Sequence, residues 1–232
     1  PAGLAALIDP TNADDPIARQ FVPDPAELQI ADGELEDPIG DAAHSPVRGL
    51  VHRYPDRVLL MPTMSCPVYC RYCFRRDRVG RAADAPSADD LETAFRYIKA
   101  RPAILTGGDP LSLSDARLAR IVARLNGIAH LDGIRIHSRV PVAMPGRITD
   151  TLVAALQSDL PVWMVLHCNH AGELTDDVAA ACDRLIRGGI PLLSQSVLLK
   201  GVNDNVETLT GLMRRLVRLR VKPYYLHHPD RA

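Results

Sequence analysis

The segment Cys66-Pro-Val-Tyr-Cys70-Arg-Tyr-Cys73-Phe-Arg-Arg76 carries three of the five cysteines of the 232-residue chain, in the spacing C-x3-C-x2-C. It comes shortly after the apolar run Val58-Leu-Leu-Met61, which predicts a short buried strand. Three thiolates so close together can surround one inorganic centre, but they cannot complete a four-ligand shell. Cysteine thiolates hold iron–sulfur clusters, and three of them would leave one iron of a four-iron cluster open to an outside ligand.

Zinc is the alternative centre for such a segment. A structural zinc site takes four protein ligands and usually pairs two C-x2-C units. The remaining cysteines, Cys168 and Cys182, each stand alone in the sequence. The spacing therefore favours an iron–sulfur centre on the three clustered cysteines, and a non-catalytic zinc-binding interaction module is the competing hypothesis from a different class.

Composition excludes several other kinds of protein. The net charge of −1 gives no electrostatic reason to expect a nucleic acid or a membrane surface as partner. No apolar run approaches the roughly 20 residues of a membrane-spanning helix. An odd number of cysteines, three of them clustered, argues against a disulfide framework and for a reducing compartment. We therefore expect a cytoplasmic protein.

Beyond about residue 50, short apolar segments alternate with amphipathic ones. Strands are predicted at 58–61, 103–106, 134–137, 162–167, 191–196 and 221–227, and helices at 87–100, 114–126, 149–157, 175–187 and 206–219. This alternation is typical of a parallel α/β sheet with right-handed crossovers, and six units are too few to close an eight-stranded barrel. Residues 1–50 are predicted to be an N-terminal extension with short helical pieces, such as 16–21, that packs on something else and is not a domain of its own, and residues 51–232 are predicted to form the core.

Polar residues lie at the carboxyl ends of the predicted strands, where ligands bind in parallel α/β folds. Arginines also surround the cysteine segment. Because Arg75 and Arg76 closely follow Cys73, at least one of them should point into the same cavity, where a guanidinium group would suit a carboxylate or a phosphate. The alternative interpretation of these arginines is a solvated basic loop. Each of the polar residues at the strand ends could bind a ligand, but each also has a structural interpretation. Asp109 could instead cap the following loop, and a lone histidine could instead be a satisfied structural residue. The candidates are Gly107, Gly108, Asp109, His137, Ser138, Arg139, His167, His170, Gln195, Tyr224, Tyr225, His227, His228, Asp230, Arg53, Arg57, Arg71, Arg75 and Arg76.

The cysteine motif and its place after a strand resemble the radical S-adenosylmethionine (SAM) superfamily, whose fold is an open (β/α)6 partial TIM barrel. Longer segments are similar to the lysine 2,3-aminomutase family, and the likeness extends from about residue 16 to 230. These segments are His52-Arg-Tyr-Pro-Asp-Arg-Val58, Cys70-Arg-Tyr-Cys-Phe-Arg-Arg76, Leu105-Thr-Gly-Gly-Asp-Pro110, His167-Cys-Asn-His170, Gln195-Ser-Val-Leu-Leu-Lys-Gly-Val-Asn-Asp204 and Pro223-Tyr-Tyr-Leu226.

The resemblance implies an isomerase that uses a [4Fe-4S] cluster, SAM and pyridoxal 5′-phosphate (PLP). It would interconvert L-lysine and β-lysine by 1,2-amino migration via a 5′-deoxyadenosyl radical. A reductant such as ferredoxin or flavodoxin and a homo-oligomeric state are expected with it. The alternative within the same chemistry is the related aminomutase that acts on lysine for attachment to, or already on, elongation factor P.

The resemblance also implies site residues by position. The cluster would be held by Cys66, Cys70 and Cys73. SAM would be contacted by Gly107, Gly108, Asp109, His167 and Gln195, and the PLP phosphate region would be formed by Arg53, Tyr54 and Arg57. The substrate α-carboxylate would meet Arg75, and its side-chain ammonium would meet Asp230. The family's PLP lysine belongs to a C-terminal segment beyond the barrel, and none of Lys99, Lys200 and Lys222 matches it.

Overall fold

The computed structural model describes residues 1–30, 32–98 and 108–230, and the backbone of residues 103–105. Its α-helices are α1 (Ala2–Ala5), α2 (Ala18–Phe21), α3 (Ala88–Ile98), α4 (Asp115–Asn126), α5 (Val140–Ala143), α6 (Asp150–Ala155), α7 (Asp176–Arg187) and α8 (Val206–Arg218). Its strands are β1 (Leu50–Tyr54), β2 (Arg57–Leu60), β3 (Ala103–Leu105), β4 (Ile134–Ser138), β5 (Val162–His167), β6 (Leu192–Val197) and β7 (Val221–His227). Residues 99–102 and 106, at the ends of a predicted helix and strand, lie outside the described residues.

The seven strands form one sheet in their order along the chain, from β1 to β7. Strands β2 to β7 run parallel to one another, whereas β1 is antiparallel to β2. In the part of the chain that the structure describes, β1 and β7 are the two edges and do not pair with each other. The predicted open (β/α)6 partial barrel is confirmed, and the antiparallel edge strand is an addition to it.

The edge strand β1 was not predicted from the sequence. It pairs with β2 as a hairpin in which Tyr54 stands opposite Arg57, so that Pro55 and Asp56 form the two-residue turn. Proline and aspartate are typical turn residues, because one presets its φ angle and the other hydrogen-bonds to nearby backbone. The hairpin lies just before the cysteine segment and brings an exposed Arg53 to the same end of the sheet.

The helices begin at the residues that the sequence predicts. Ser87 and Asp90 cap α3 reciprocally, since the Asp90 carboxylate accepts from the Ser87 N–H at 2.9 Å and the Ser87 hydroxyl accepts from the Asp90 N–H at 3.1 Å. The Ser114 and Thr175 side chains cap α4 and α7 in the usual one-sided way. Gly188 ends α7, as predicted.

The core lies between the sheet and its outer helices. On α8, Leu212 and Leu216 are fully buried, and Leu209, Met213 and Leu219 pack beside them, which confirms the predicted apolar face. Among the described residues, no helix is both long enough and apolar enough to cross a membrane.

Residues of the N-terminal extension contact the helices and loops around the sheet. Leu4 and Ile17 form a small apolar cluster with Ala143 of α5. Gln20 is fully buried, and its carbonyl accepts a hydrogen bond of 3.0 Å from the N–H of Arg71 in the cysteine segment. The extension thus contacts both the cysteine segment and the loop that follows β4.

Candidate active site

The carboxyl ends of the parallel strands surround a cavity of about 540 Å³. This is the end of a parallel α/β sheet at which ligands bind. Gly107 lies outside the described residues. All the other residues to which the resemblance assigns a cofactor or the substrate line this cavity: Arg53, Tyr54, Arg57, Cys66, Cys70, Cys73, Arg75, Gly108, Asp109, His167, Gln195 and Asp230. Four further candidates are not among its lining residues: Arg71, Arg76, His170 and Tyr224. The structure therefore brings these residues together, while the role of each stays a prediction.

The residues just before the cysteine segment pack against the loop that follows β3. The N–H of Gly108 donates to the carbonyl of Thr63 at 2.9 Å, and the N–H of Asp109 donates to that of Ser65 at 2.7 Å. A Cβ atom at position 108 would lie only 2.5 Å from the Ser65 carbonyl oxygen. A residue with a side chain would therefore not fit at position 108, because the backbone just before the cysteine segment lies so close to it.

The three clustered thiols lie in surroundings that disfavour an isolated thiolate. Burial raises the pKa of Cys66, Cys70 and Cys73, and for Cys66 the Asp109 carboxylate and the two neighbouring thiols raise it further. Because metal ligation takes the thiolate, a cationic iron–sulfur centre would supply the charge that stabilises it here. In the described ranges no group of three His, Cys, Asp or Glu side chains is arranged around a single ion. In a cluster, however, each thiolate binds a different iron. The donor set thus fits a cluster.

Arg75 lines the cavity, as predicted, and it is held by a residue of the N-terminal extension. Its Nε donates to Oδ2 of Asp41 at 2.6 Å, and the two side chains are only 7% and 3% exposed. Its guanidinium plane lies 4.5 Å from the centre of the Phe74 ring. The neighbouring Arg76 instead pairs with Glu34 at 3.5 Å near the surface.

Asp109 is a cap, the alternative interpretation given above. One carboxylate oxygen accepts from the Leu111 N–H and the Ser138 hydroxyl at 3.1 and 2.8 Å. The other accepts from the N–H groups of Arg139 and Val140 at 2.7 and 3.2 Å. These four bonds occupy about all the acceptor positions of a carboxylate. The carboxylate thereby joins the loop after β3 to the loop after β4, and its predicted contact with SAM stays a prediction.

A buried ion pair joins the loop after β4 to the segment after β5. Arg139, after β4, donates to the carboxylate of Glu173, and the side chains are 5% and 0% exposed. The same guanidinium group donates to Oε1 of Gln20 at 3.0 Å. The second oxygen of Glu173 accepts from the N–H groups of Asn169 and His170, each at 2.9 Å. Every formal charge in this group is thus compensated by a partner charge and by hydrogen bonds.

Tyr72 connects this network to the strand ends. Its hydroxyl accepts from Arg139 Nη1 at 2.5 Å and from Asn169 Nδ2 at 2.7 Å, and it lies 3.4 Å from His167 Nε2. Burial raises the pKa of Tyr72 well above its usual value, so the phenol keeps its proton. Since both lone pairs are engaged, that proton can be donated only to the His167 nitrogen or to the sulfur of Cys70, which also lies within hydrogen-bond reach of the hydroxyl. Burial, together with the charge of Arg139, lowers the pKa of His167, which is therefore neutral.

Gln195 and His137 form a second polar contact on the neighbouring strands. Nδ1 of His137 and Oε1 of Gln195 are 2.9 Å apart, and the Cα atom of Gln195 is paired with that of His167 across β5 and β6. Burial lowers the pKa of His137 to about 4, so this ring is neutral as well. His167 and Gln195, two of the five residues predicted to contact SAM, are therefore adjacent, and each is oriented by another side chain.

The β1–β2 hairpin forms the rim of the cavity. The Arg57 guanidinium group lies 4.6 Å from the centre of the Tyr54 ring, and Arg53 lines the cavity beside them. Two guanidinium groups at an open rim fit a phosphate group. Lys200 and Lys222 are not among the residues that line the cavity, and Lys99 lies outside the described residues.

Sequence reasoning missed three buried polar residues of the site: Gln20, Asp41 and Glu173. Gln20 follows Ile17 at helical spacing, so its buried face was readable, but its partner Glu173 lies 153 positions away. Asp41 and its partner Arg75 are 34 positions apart. No local pattern predicts such pairs, because they form only when the extension folds onto the sheet.

Comparison with known proteins shows the family and the fold to which the chain is similar. The family model of the radical SAM superfamily matches residues 60–212. The fold resembles that of a solved structure titled "Native anSMEcpe with bound AdoMet", with a TM-score of 0.55 at 11% identity over 74% of this chain and 51% of that one. The open sheet and the cysteine triplet at its strand ends thus define a radical SAM protein.

Relatives in sequence narrow the class further. The chain is 44% identical to the L-lysine 2,3-aminomutase of Clostridium subterminale over 97% of its own length and 55% of that protein. It is 40% identical to the L-lysine 2,3-aminomutase of Escherichia coli (strain K12), over 100% of this chain and 69% of that one. The chain belongs to the lysine 2,3-aminomutase family of the radical SAM superfamily. It spans about half the length of the clostridial relative.

Proposed function

We propose that the protein is a radical SAM isomerase that interconverts L-lysine and β-lysine with the help of PLP. The observation that carries the proposal is that one cavity unites three cysteines, an inward-facing arginine and an aspartate. Membership of the lysine 2,3-aminomutase family supports the reaction type, and the two relatives named above carry that activity in their names.

The cysteine segment would hold the cluster, and the strand ends would hold SAM. When bound, the cluster with SAM would supply one-electron radical chemistry, and PLP would supply the conjugated carrier for the migrating amino group. His167 and Gln195 are neutral polar groups beside the cysteines and would contact SAM without adding charge. The backbone of Gly108 packs on Thr63 and Ser65, just before the cysteine segment, and would keep that segment at a fixed distance from β3.

The hairpin at the rim would hold the phosphate of PLP. Arg53 and Arg57 carry positive charge that matches a phosphate group, and Tyr54 supplies a hydroxyl group beside them. Because all three lie on β1 and β2, the cofactor would stand on the side of the cavity next to the cysteine segment.

Opposite charges in the cavity suit an amino acid with two amino groups. Arg75 would bind the α-carboxylate, since a planar guanidinium group pairs with a carboxylate through two parallel hydrogen bonds. Asp230 lines the same cavity and would bind the side-chain ammonium of lysine. A substrate with a second carboxylate, such as glutamate, would be repelled at Asp230.

We further propose a cytoplasmic enzyme that draws its electron from a small reductant such as ferredoxin or flavodoxin and works as a homo-oligomer. The reducing compartment follows from the five free cysteines, three of which would hold an oxygen-sensitive centre.

The decisive experiment is anaerobic reconstitution with iron and sulfide, followed by incubation of L-lysine with SAM, PLP and dithionite. Formation of β-lysine, detected by chromatography, is the expected result. The Cys70→Ala protein should form none and should not cleave SAM, whereas Arg75→Lys should mainly raise the KM for lysine. A wild-type protein that shows the visible absorption of an iron–sulfur cluster, cleaves SAM and yields no β-lysine would overturn the proposed substrate.

A further inference from the structure

The N-terminal extension places one carboxylate, that of Asp41, inside the cavity. Asp41 lines the cavity and accepts from Nε of Arg75 at 2.6 Å, with both side chains more than nine-tenths buried. A hydrogen bond between two charged groups at this distance is among the strong ones, and burial removes most of the competition from water. The position of the Arg75 guanidinium group is therefore set by a residue that precedes the sheet in sequence.

The backbone that carries the Asp41 side chain is itself held by hydrogen bonds. The Asp41 N–H donates to the side chain of Asp37 at 2.8 Å, and the Asp41 carbonyl accepts from the Ser45 hydroxyl at 2.7 Å. Gly40 directly before it has a φ of +67°, which a residue with a side chain rarely adopts. A preformed turn thus presents Asp41 before any ligand arrives.

The contact uses only one edge of the guanidinium group. Nε is engaged by Asp41, and one face of the plane lies on Phe74. Within the described part of the chain, the two Nη groups make no hydrogen bond, and neither of them is among the buried atoms that lack a partner. The end of the guanidinium group that bears both Nη atoms is therefore left open to the cavity.

We infer that Asp41 is a positioning residue, which holds Arg75 so that its two Nη groups form a fork for the substrate carboxylate. This inference rests on the proposed function, because it takes the Arg75 fork to be the carboxylate subsite. Asp41 also balances the charge of Arg75. The subsite therefore selects a planar carboxylate by the direction of two hydrogen bonds more than by net charge.

A neighbouring ion pair provides the matched control. Glu34 belongs to the same extension and pairs with Arg76 of the same cysteine segment, but at 3.5 Å and with both side chains about one-third exposed. The Glu34→Gln change removes the same kind of charge from the same two elements without touching Arg75.

The test compares the binding of L-lysine with that of L-lysinamide, which keeps both amino groups and lacks the carboxylate. Dissociation constants are measured by calorimetry on the reconstituted, PLP-loaded protein. We expect the wild type and Glu34→Gln to prefer lysine by about 10- to 100-fold, the worth of charge-assisted hydrogen bonds. In Asp41→Asn this preference should fall below about threefold, and the KM for lysine should rise with a much smaller change in kcat.

The conservative variant Asp41→Glu, which keeps the charge, should recover part of the preference. If Asp41→Asn weakens the binding of lysine and lysinamide equally, or leaves the preference intact, Asp41 has no positioning role, and the proposed function still stands. If the wild type itself shows no preference for lysine, both the Arg75 assignment and the inference built on it are wrong.

Discussion

Replacing Glu173 with glutamine leaves the guanidinium group of Arg139 buried without its counter-charge. The pair is almost completely excluded from solvent, with exposures of 5% for Arg139 and 0% for Glu173. Removing one partner of a buried ion pair costs about 3–5 kcal/mol, because the other charge has no water to solvate it. Both oxygens of Glu173 face donors, so the NH2 group of a glutamine would meet either the Arg139 guanidinium group or the N–H groups of Asn169 and His170.

The exposed pair between Arg124 and Glu92 gives the scale for comparison. It has two short hydrogen bonds, of 2.5 and 2.7 Å, but the side chains are 47% and 52% exposed. Exposed ion pairs contribute about 0–1 kcal/mol. The Glu92→Gln change should therefore cost a fraction of the Glu173→Gln change, although both remove one carboxylate from an arginine.

Urea unfolding followed by far-ultraviolet circular dichroism measures both variants. With an m-value of about 3 kcal/mol/M, the expected loss for Glu173→Gln lowers the unfolding midpoint by about 1 to 1.7 M, and Glu92→Gln lowers it by about 0.3 M at most. Adding Arg139→Gln to Glu173→Gln should cost less than the sum of the single changes, since no unpaired charge then remains. Equal midpoints for the Glu173 and Glu92 variants would refute the reasoning from burial.

Three further predictions follow from the same site. Tyr72→Phe removes a hydroxyl group that two buried donors use, so it should lower the free energy of unfolding by about 1–3 kcal/mol in the same urea assay. Gly108→Ala should lower the free energy of unfolding, because the new Cβ atom would lie 2.5 Å from a backbone atom. Gly211→Ala lies in a helix with nothing within 4 Å of the new Cβ atom and should raise the free energy of unfolding by about 0.5–1 kcal/mol. Thermal melts measure both changes. Burial lowers the pKa of His137 to about 4 from 6.5. The unfolded chain therefore binds more protons than the folded chain between these two pH values, and the free energy of unfolding rises with pH across that window. His137→Asn should reduce the difference between the urea midpoints at pH 4.5 and pH 7. An unchanged difference would contradict this account.

Much of the architecture was readable from local sequence. The strand at 162–167 and the helices after Ser114 and Thr175 were predicted almost to the residue, because the strand is a continuous apolar run and each helix has a cap and a periodic apolar face. The β1 strand was missed because it is amphipathic only over a few residues and is defined by pairing with β2. Pairing of this kind is a tertiary contact that leaves little trace in periodicity.

The cysteine triplet and the polar strand ends were also determined by the sequence alone. Spacing along the chain is enough to bring three thiols into one loop, and a parallel sheet brings all its strand ends to one side. Only the tertiary structure decided how these groups are held. Gln20, Asp41 and Glu173 acquire their partners across long stretches of chain, and burial of those contacts sets the charge and orientation of the arginines around the cavity. Local patterns determine which elements form, whereas desolvation and long-range hydrogen bonds depend on which elements meet.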